Sequence, residues 1–139
     1  MIITELPFNQ LIGLQYSDRP DALLSLPGDQ RYTNHLGTVH ASALLALAEA
    51  TSGEYLIREI GNPGFGIIPV VRKMESKFRK PAFGEIYSKV QVGIETRDLF
   101  MTNLHKKGRA LISIAVDIFD EKDTHTLNAI VEWFVSSKN

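Results

Sequence analysis

The stretch Thr38-Val-His-Ala-Ser-Ala-Leu-Leu-Ala-Leu-Ala-Glu-Ala-Thr-Ser-Gly-Glu-Tyr-Leu-Ile-Arg-Glu-Ile60 decides the fold. Ala and Leu dominate it, and both are strong helix formers. It reads as one long helix. Thr38 is placed to cap its start, with a hydroxyl that can accept from a free backbone N–H one turn in. Gly61-Asn62-Pro63-Gly64 ends it, since glycine suits the C-terminal turn and proline cannot continue a helix. At 1.5 Å per residue the helix spans roughly 30 Å, enough to cross a small domain.

Between Val39 and Ala50 only His40 and Glu49 are ionisable. A helix apolar on nearly every side is a buried helix. The apolar run Ala41–Ala48 falls far short of the roughly 20 residues that a membrane span needs. A sheet wrapped around the helix is therefore expected. Glu49 then stands out, because a buried carboxylate is costly unless paired, hydrogen-bonded or protonated.

The flanking sequence supplies that sheet. Leu6–Leu11 suits a short helical turn, and Ile12–Tyr16 with Ala22–Leu26 suits a hairpin around the turn-rich Ser17-Asp18-Arg19-Pro20-Asp21. Gln30–Gly37 is a polar loop. After Gly64 the period changes to two. Ile67–Lys80 carries Lys73, Glu75, Lys77 and Arg79 on one face, with Arg72, Met74, Ser76, Phe78 and Lys80 on the other. Glu85–Thr96, Arg109–Asp120 and Thr126–Ser136 alternate in the same way. Asp98–Lys107 reads as a short helix with an apolar stripe of Leu99, Phe100 and Leu104, closed by Gly108. Helices do not alternate with strands, so the fold class is α+β, in one domain over 1–139.

Composition removes several function classes. The formal charge is −1, so neither nucleic acid nor an anionic membrane is implied as a partner. There is no cysteine, which excludes disulfides and thiolate chemistry and fits a reducing compartment. The start Met1-Ile-Ile-Thr-Glu-Leu-Pro7 lacks a signal-peptide pattern, so a cytoplasmic location is expected. His35, His40, His105 and His125 are scattered without metal-ligand spacing, so no metal and no cofactor are expected.

Chemistry gathers at the helix entrance. The first backbone N–H groups of a helix lack internal partners and carry the positive end of its dipole. Here these are the amides around Val39, His40 and Ala41, with the small Ala41 and Ser42 allowing close approach. Such a site stabilises a carbonyl oxygen that is becoming an oxyanion. Asn34 and His40 bracket it. His40 and Glu49 are nine residues apart, about 900° around the helix, and so project from opposite sides. One helix does not bring both to one substrate, whereas two antiparallel copies in a symmetric dimer do. Ser42, Ala46, Ser52 and Gly53 form a small-residue face with Glu49 that favours close approach. Against these readings stand plainer ones: a structural His40, a loop-capping Asn34, and Glu49 paired with a strand cation such as Arg72.

Asn34-His-Leu-Gly-Thr-Val-His-Ala-Ser-Ala43, followed by Leu47-Ala-Glu-Ala50, resembles the signature of the hotdog-fold acyl-CoA thioesterases of the phenylacetate-degradation type. Pro81-Ala-Phe-Gly-Glu85 and Lys107-Gly-Arg109 match that superfamily's strand-turn pattern, and the likeness runs from about Phe8 to Val135. It implies a curved antiparallel sheet wrapped around one long central helix, and a homodimer, often a dimer of dimers, with the site between subunits. It also implies that Asn34 and His40 position an acyl-CoA thioester, that the Ala41 N–H polarises its carbonyl, and that the partner copy's Glu49 acts as general base or nucleophile. Gly37 and Ser42 would contact substrate, and Arg72, Lys106 and Lys107, among other cations, would meet the CoA phosphates. The chain departs from the pattern in three ways. Ala41-Ser42 replaces Gly-Gly, the acid is Glu rather than Asp, and Val70-Val71 stands where a water-orienting Ser or Thr is usual. The insert Asp98–Lys107 resembles a less characterised subgroup. Two further functions compete on the same fold: a non-catalytic acyl or CoA-binding protein, and a hydroxyacyl-thioester dehydratase using His35 and Glu49.

Overall fold

The computed structural model describes residues 1–138. A short helix α1 (Pro7–Leu11) precedes strands β1 (Gln15–Tyr16) and β2 (Leu24–Leu26). The long helix α2 (Ala41–Ile60) follows, then β3 (Ile67–Phe78), β4 (Ile86–Gln91), α3 (Ile94–Lys107), β5 (Arg109–Asp120) and β6 (His125–Ser137). All six strands form one antiparallel sheet in the order β1-β2-β4-β5-β6-β3. The sheet curves around α2, which is the hotdog arrangement implied by the resemblance.

The two-residue period is met in β5 and β6, whereas β4 buries Ile86, Tyr87 and Ser88 in succession and β3 is exposed along most of its length. Ile112, Ile114, Val116 and Ile118 of β5 are buried, as are Leu127, Ala129, Val131, Trp133 and Val135 of β6. They pack on Leu44, Leu47, Ala48 and Leu56 of α2. Each such aliphatic side chain contributes on the order of 2 kcal/mol by leaving water. Polar ties fix the helix azimuth. The Thr51 and Ser88 hydroxyls lie 2.6 Å apart, and Ser88 Oγ also donates to the Leu24 carbonyl. Trp133 Nε1 donates to Ser52 Oγ at 2.8 Å.

The hairpin strands shorten to Gln15–Tyr16 and Leu24–Leu26, β3 ends at Phe78 rather than Lys80, and two further boundaries differ from the sequence reading. The helix starts at Ala41, and its N-cap is His40 rather than Thr38. Tertiary hydrogen bonds claim the preceding residues: the Val39 N–H donates to the Ala82 carbonyl and the His40 N–H to the Tyr32 carbonyl. The second difference lies between β4 and α3. The strand stops at Gln91 and the helix begins at Ile94, four residues before Asp98. Gly93 caps it, and Gly108, at φ +69°, closes it in the left-handed region. Phe100 and Leu104 are buried as expected, but Leu99 is 63% exposed and does not join the stripe.

β3 is the feature that matters most for the site. It is paired on one side only, with β6. Its Ile68, Val70, Val71 and Phe78 are exposed. A long open edge with apolar side chains is a surface ready for another strand. No helix is long and apolar enough to cross a membrane among the described residues.

Candidate active site

The helix entrance is narrower in hydrogen-bonding terms than its sequence implies. The Ser42 N–H donates to His40 Nδ1 at 3.0 Å, and the Ala43 and Leu44 N–H groups donate to the His40 carbonyl. With Val39 and His40 engaged elsewhere, the first-turn amide left facing outward is that of exposed Ala41. It sits at the positive end of a 20-residue helix, where a developing negative charge is stabilised. Of the three amides singled out in the sequence, this is the available one.

His40 caps the helix with its ring. Accepting through Nδ1 leaves its remaining ring proton on Nε2, a donor aimed away from the first turn. Asn34 shapes the approach loop. Its Oδ1 accepts from the Leu36 and Thr38 N–H groups, and its Nδ2 donates to Thr38 Oγ1 at 2.9 Å. The second Nδ2 proton has no partner among the described residues. Gly37, at φ +76°, has open space where a Cβ would be and keeps this loop low.

Three clefts surround α2, and they divide the expected residues. Asn34 and Ala41 share a cleft of about 270 Å³ with Phe78 at the end of β3 and with Arg79 and Lys80 just beyond it. His40 and Ser42 open into another of about 320 Å³, with Phe8, Arg31 and Tyr32. Glu49 lies in a third of about 180 Å³, with Gly53, Pro69 and Trp133. Asn34 and His40 thus flank the helix start on opposite sides rather than sharing one mouth. Ser42 and Ala46 fall on the His40 side, away from Glu49. His35 is exposed on its loop. Arg72 is exposed at the irregularity in β3, Lys106 borders a groove along α3, and Lys107 is exposed at the end of that helix. None of these three cations lines a cleft around α2.

Glu49 is the group whose chemistry is least accounted for by folding. It is half-buried, and desolvation alone pushes its carboxyl above the usual glutamate range, with no cation or hydrogen bond opposing it. The suggested pairing with Arg72 does not form. A second acid on the same helix shows the contrast. Buried Glu54 accepts from Arg58 Nε at 2.6 Å and from the Tyr16 hydroxyl at 3.3 Å. Ser52 donates to the Glu49 carbonyl at 2.6 Å and ties that turn to Trp133. Val71, opposite Trp133 in the ladder, brings no hydroxyl to the cavity. Sequence reasoning missed Trp133, Lys80, Arg31 and the N-terminal residues that border Glu49. Their only signals were buried-face periodicity in β6 and scattered charge.

The arrangement contains a desolvated base and an unoccupied backbone donor, held apart on one helix. Among the described residues no group of three His, Asp or Glu side chains could hold a metal ion.

A family model described as a domain of unknown function, DUF4442, matches residues 7–135. No curated protein sequence matches the chain. Among solved structures, the chain resembles PA5026 of Pseudomonas aeruginosa, a protein of unknown function described as a probable thioesterase. They share 27% identity and a TM-score of 0.79, over 98% of this chain and 91% of that one. OLEI01261 of Chlorobaculum tepidum, of unknown function, gives 19% identity and a TM-score of 0.83, over 96% and 88% of the two chains. BH2602 of Bacillus halodurans, solved with CoA, gives 14% identity and a TM-score of 0.68, over 92% and 74%.

Proposed function

We propose that this chain, which belongs to the DUF4442 family, hydrolyses an acyl thioester of the acyl-CoA class at a site shared between two copies of itself. One observation carries the reading. Glu49 is an unpaired, desolvated carboxylate in an apolar cavity that borders the open-edge strand. A fold keeps such a group against its desolvation cost when the group has work to do.

The edge strand supplies the second half of the site. The Glu49 cavity touches β3 at Pro69, near its start, and the helix-mouth cleft touches it at Phe78, its end. Antiparallel pairing of two β3 edges sets the end of one strand beside the start of the other. One copy's Ala41 N–H and Asn34 then face the partner copy's carboxylate, and two-fold symmetry gives two equal sites. The CoA-bound solved relative and the probable thioesterase support the substrate class. The phosphates would meet Arg79 and Lys80 at the mouth, with Arg72, Lys106 and Lys107 as further charge, and Gly37 and Ser42 would leave room beside the loop.

The chemistry uses water and no cofactor. Glu49 takes a proton as the water oxygen bonds to the thioester carbon, and the carbonyl oxygen gains negative charge against the Ala41 N–H. Collapse breaks the C–S bond, and the thiolate leaves with the proton returned by Glu49. Direct attack by the carboxylate, which breaks the C–S bond, expels the thiolate and gives a mixed anhydride that water then cleaves to the free acid and Glu49, uses the same placement. The valine pair on β3 favours a second reading, in which the protein binds acyl-CoA without turning it over. A panel of acyl-CoAs with thiol release as readout separates the two. Hydrolysis by the native protein should fall on the order of 10²–10⁴-fold in Glu49→Gln. No release from any acyl-CoA, or full activity in that variant, would sink the proposal.

A further inference from the structure

We propose that Asp120, at the end of β5, is a positioning residue of the helix mouth: it grips the Ala82–Phe83 peptide unit and through it sets the direction of the Ala41 N–H. The kinetic half of this inference rests on the hydrolytic reading above, and the structural half stands without it.

Asp120 is 1% exposed, and no cation pairs with it among the described residues. A carboxylate so placed is costly unless its oxygens accept hydrogen bonds. They accept three, all from backbone. Oδ1 takes the Lys122 N–H at 3.0 Å and the Thr124 N–H at 3.1 Å, which closes the turn between β5 and β6. Oδ2 takes the Phe83 N–H at 3.1 Å. Closing a turn needs one side-chain oxygen, and Asn serves there as well as Asp. A second acceptor oxygen is what the carboxylate adds, and it is aimed at a different part of the chain.

From there the link runs to α2. The Ala82 carbonyl, in the same planar peptide unit as the Phe83 N–H, accepts from the Val39 N–H at 2.9 Å. One rigid unit is therefore held by Asp120 at its N–H and by Val39 at its carbonyl. The next amide, that of His40, donates to the Tyr32 carbonyl at 2.7 Å. With two consecutive amides fixed, only the φ and ψ of His40 separate the held His40 N–H from the Ala41 N–H. The 81–84 segment is also packed closely from outside: a Cβ built on Gly28 would meet the Glu85 backbone nitrogen at 2.8 Å. Pro81 and Ala82 line the cleft that holds Ala41 and Asn34. Releasing Phe83 lets the gripped unit rotate, and Val39 passes that rotation to the donor at the mouth.

Asp120→Asn tests the link with almost no change of shape. Its single acceptor oxygen can stay on the Lys122 and Thr124 N–H groups, which turns an NH2 group against the Phe83 N–H. Amide hydrogen exchange by NMR and acyl-CoA hydrolysis are measured on the full chain. Exchange at Val39 should quicken at least about tenfold, the scale of one lost hydrogen bond to a charged group, while amides at the centre of β5 exchange as in the native protein. kcat should fall about 10- to 100-fold with KM within about threefold, because the misaimed donor acts in the transition state. A merely structural role would quicken β5 as much as Val39 and leave kcat alone. In the native protein, which needs no variant, Phe83 and Val39 should open as one unit, with protection factors within about tenfold of each other. The assignment is overturned if Val39 exchanges in Asp120→Asn as it does in the native chain, if the centre of β5 quickens equally, if kcat holds while Val39 is freed, or if Phe83 and Val39 open separately in the native protein. If the native protein cleaves no acyl-CoA, the hydrolytic reading falls, and exchange at Val39 and Phe83 still decides the link to Asp120.

Discussion

Mixing two inactive variants tests the shared site most directly. Within one copy, Ala41 and Glu49 are eight residues apart on one helix, about 12 Å along its axis. A water molecule bridging base and carbonyl needs about 3 Å on each side. On the proposed reading one chain therefore does not complete the reaction alone, and each site would take its donor from one copy and its base from another. Asn34→Ala damages the approach loop, since four hydrogen bonds converge on that side chain. Glu49→Gln removes the base. Each variant alone should be inactive. Unfolded and refolded together in equal amounts, about half the dimers are hybrids, and each hybrid holds one site with both functional groups intact. Thiol release should recover to about a quarter of the native rate. Native mass spectrometry counts the hybrids independently. Hybrids present at the statistical share, with thiol release no higher than in the parents, would refute the two-chain site.

Three further outcomes follow from the same geometry. Val70 is 46% exposed on the open edge, and burying that half is worth about 1 kcal/mol. Val70→Lys counts twice across a two-fold axis, so the dimer Kd should rise at least about 30-fold in sedimentation experiments that also show whether dimers pair further. Burial raises the Glu49 carboxyl pKa above its ordinary value of 4.5, so the folded chain holds a proton over a pH range where the unfolded chain has lost it. Stability should fall as pH rises from about 4.5 through the raised value, and the cost is complete above it. Glu49→Gln should therefore be more stable than the native protein near neutrality, with the gain vanishing in acid, as read by denaturant titration at several pH values. His40→Ala removes the N-cap and should cost about 1 kcal/mol in thermal or chemical unfolding, whereas His40→Asn keeps an acceptor for the Ser42 N–H and should recover most of it.

Much of the fold was legible because local periodicity and burial agree. The α2 residues Leu44, Leu47 and Leu56 and the β5 residues Ile112 to Ile118 had no competing pattern, and the chain buries them as written. Thr38 misled because capping propensity is local while its hydroxyl is claimed by Asn34. The next two N–H groups are likewise taken by Ala82 and Tyr32. Ile94 misled because Val90, Val92 and Ile94 continue an alternation that suits a strand. The β4–β5 pairing ends at Gln91 opposite Ala115, and without a ladder partner Gly93 starts a helix instead.

Of the candidate site the lone acid was legible, whereas the bordering cations Lys80 and Arg31 and the walls were not, for a related reason. Glu49 announces itself because a carboxylate in an apolar helix violates a rule that one residue can reveal. The cavity around it is made by Ile3, Gly53 and Trp133, brought together across the whole length of the chain. Each is unremarkable where it stands: an apolar residue near one end, a helix glycine, a strand aromatic. Their meaning lies in the distances among them, and only the sheet folded against its helix sets those distances. A sequence read residue by residue finds the isolated carboxyl before it finds the cavity that surrounds it.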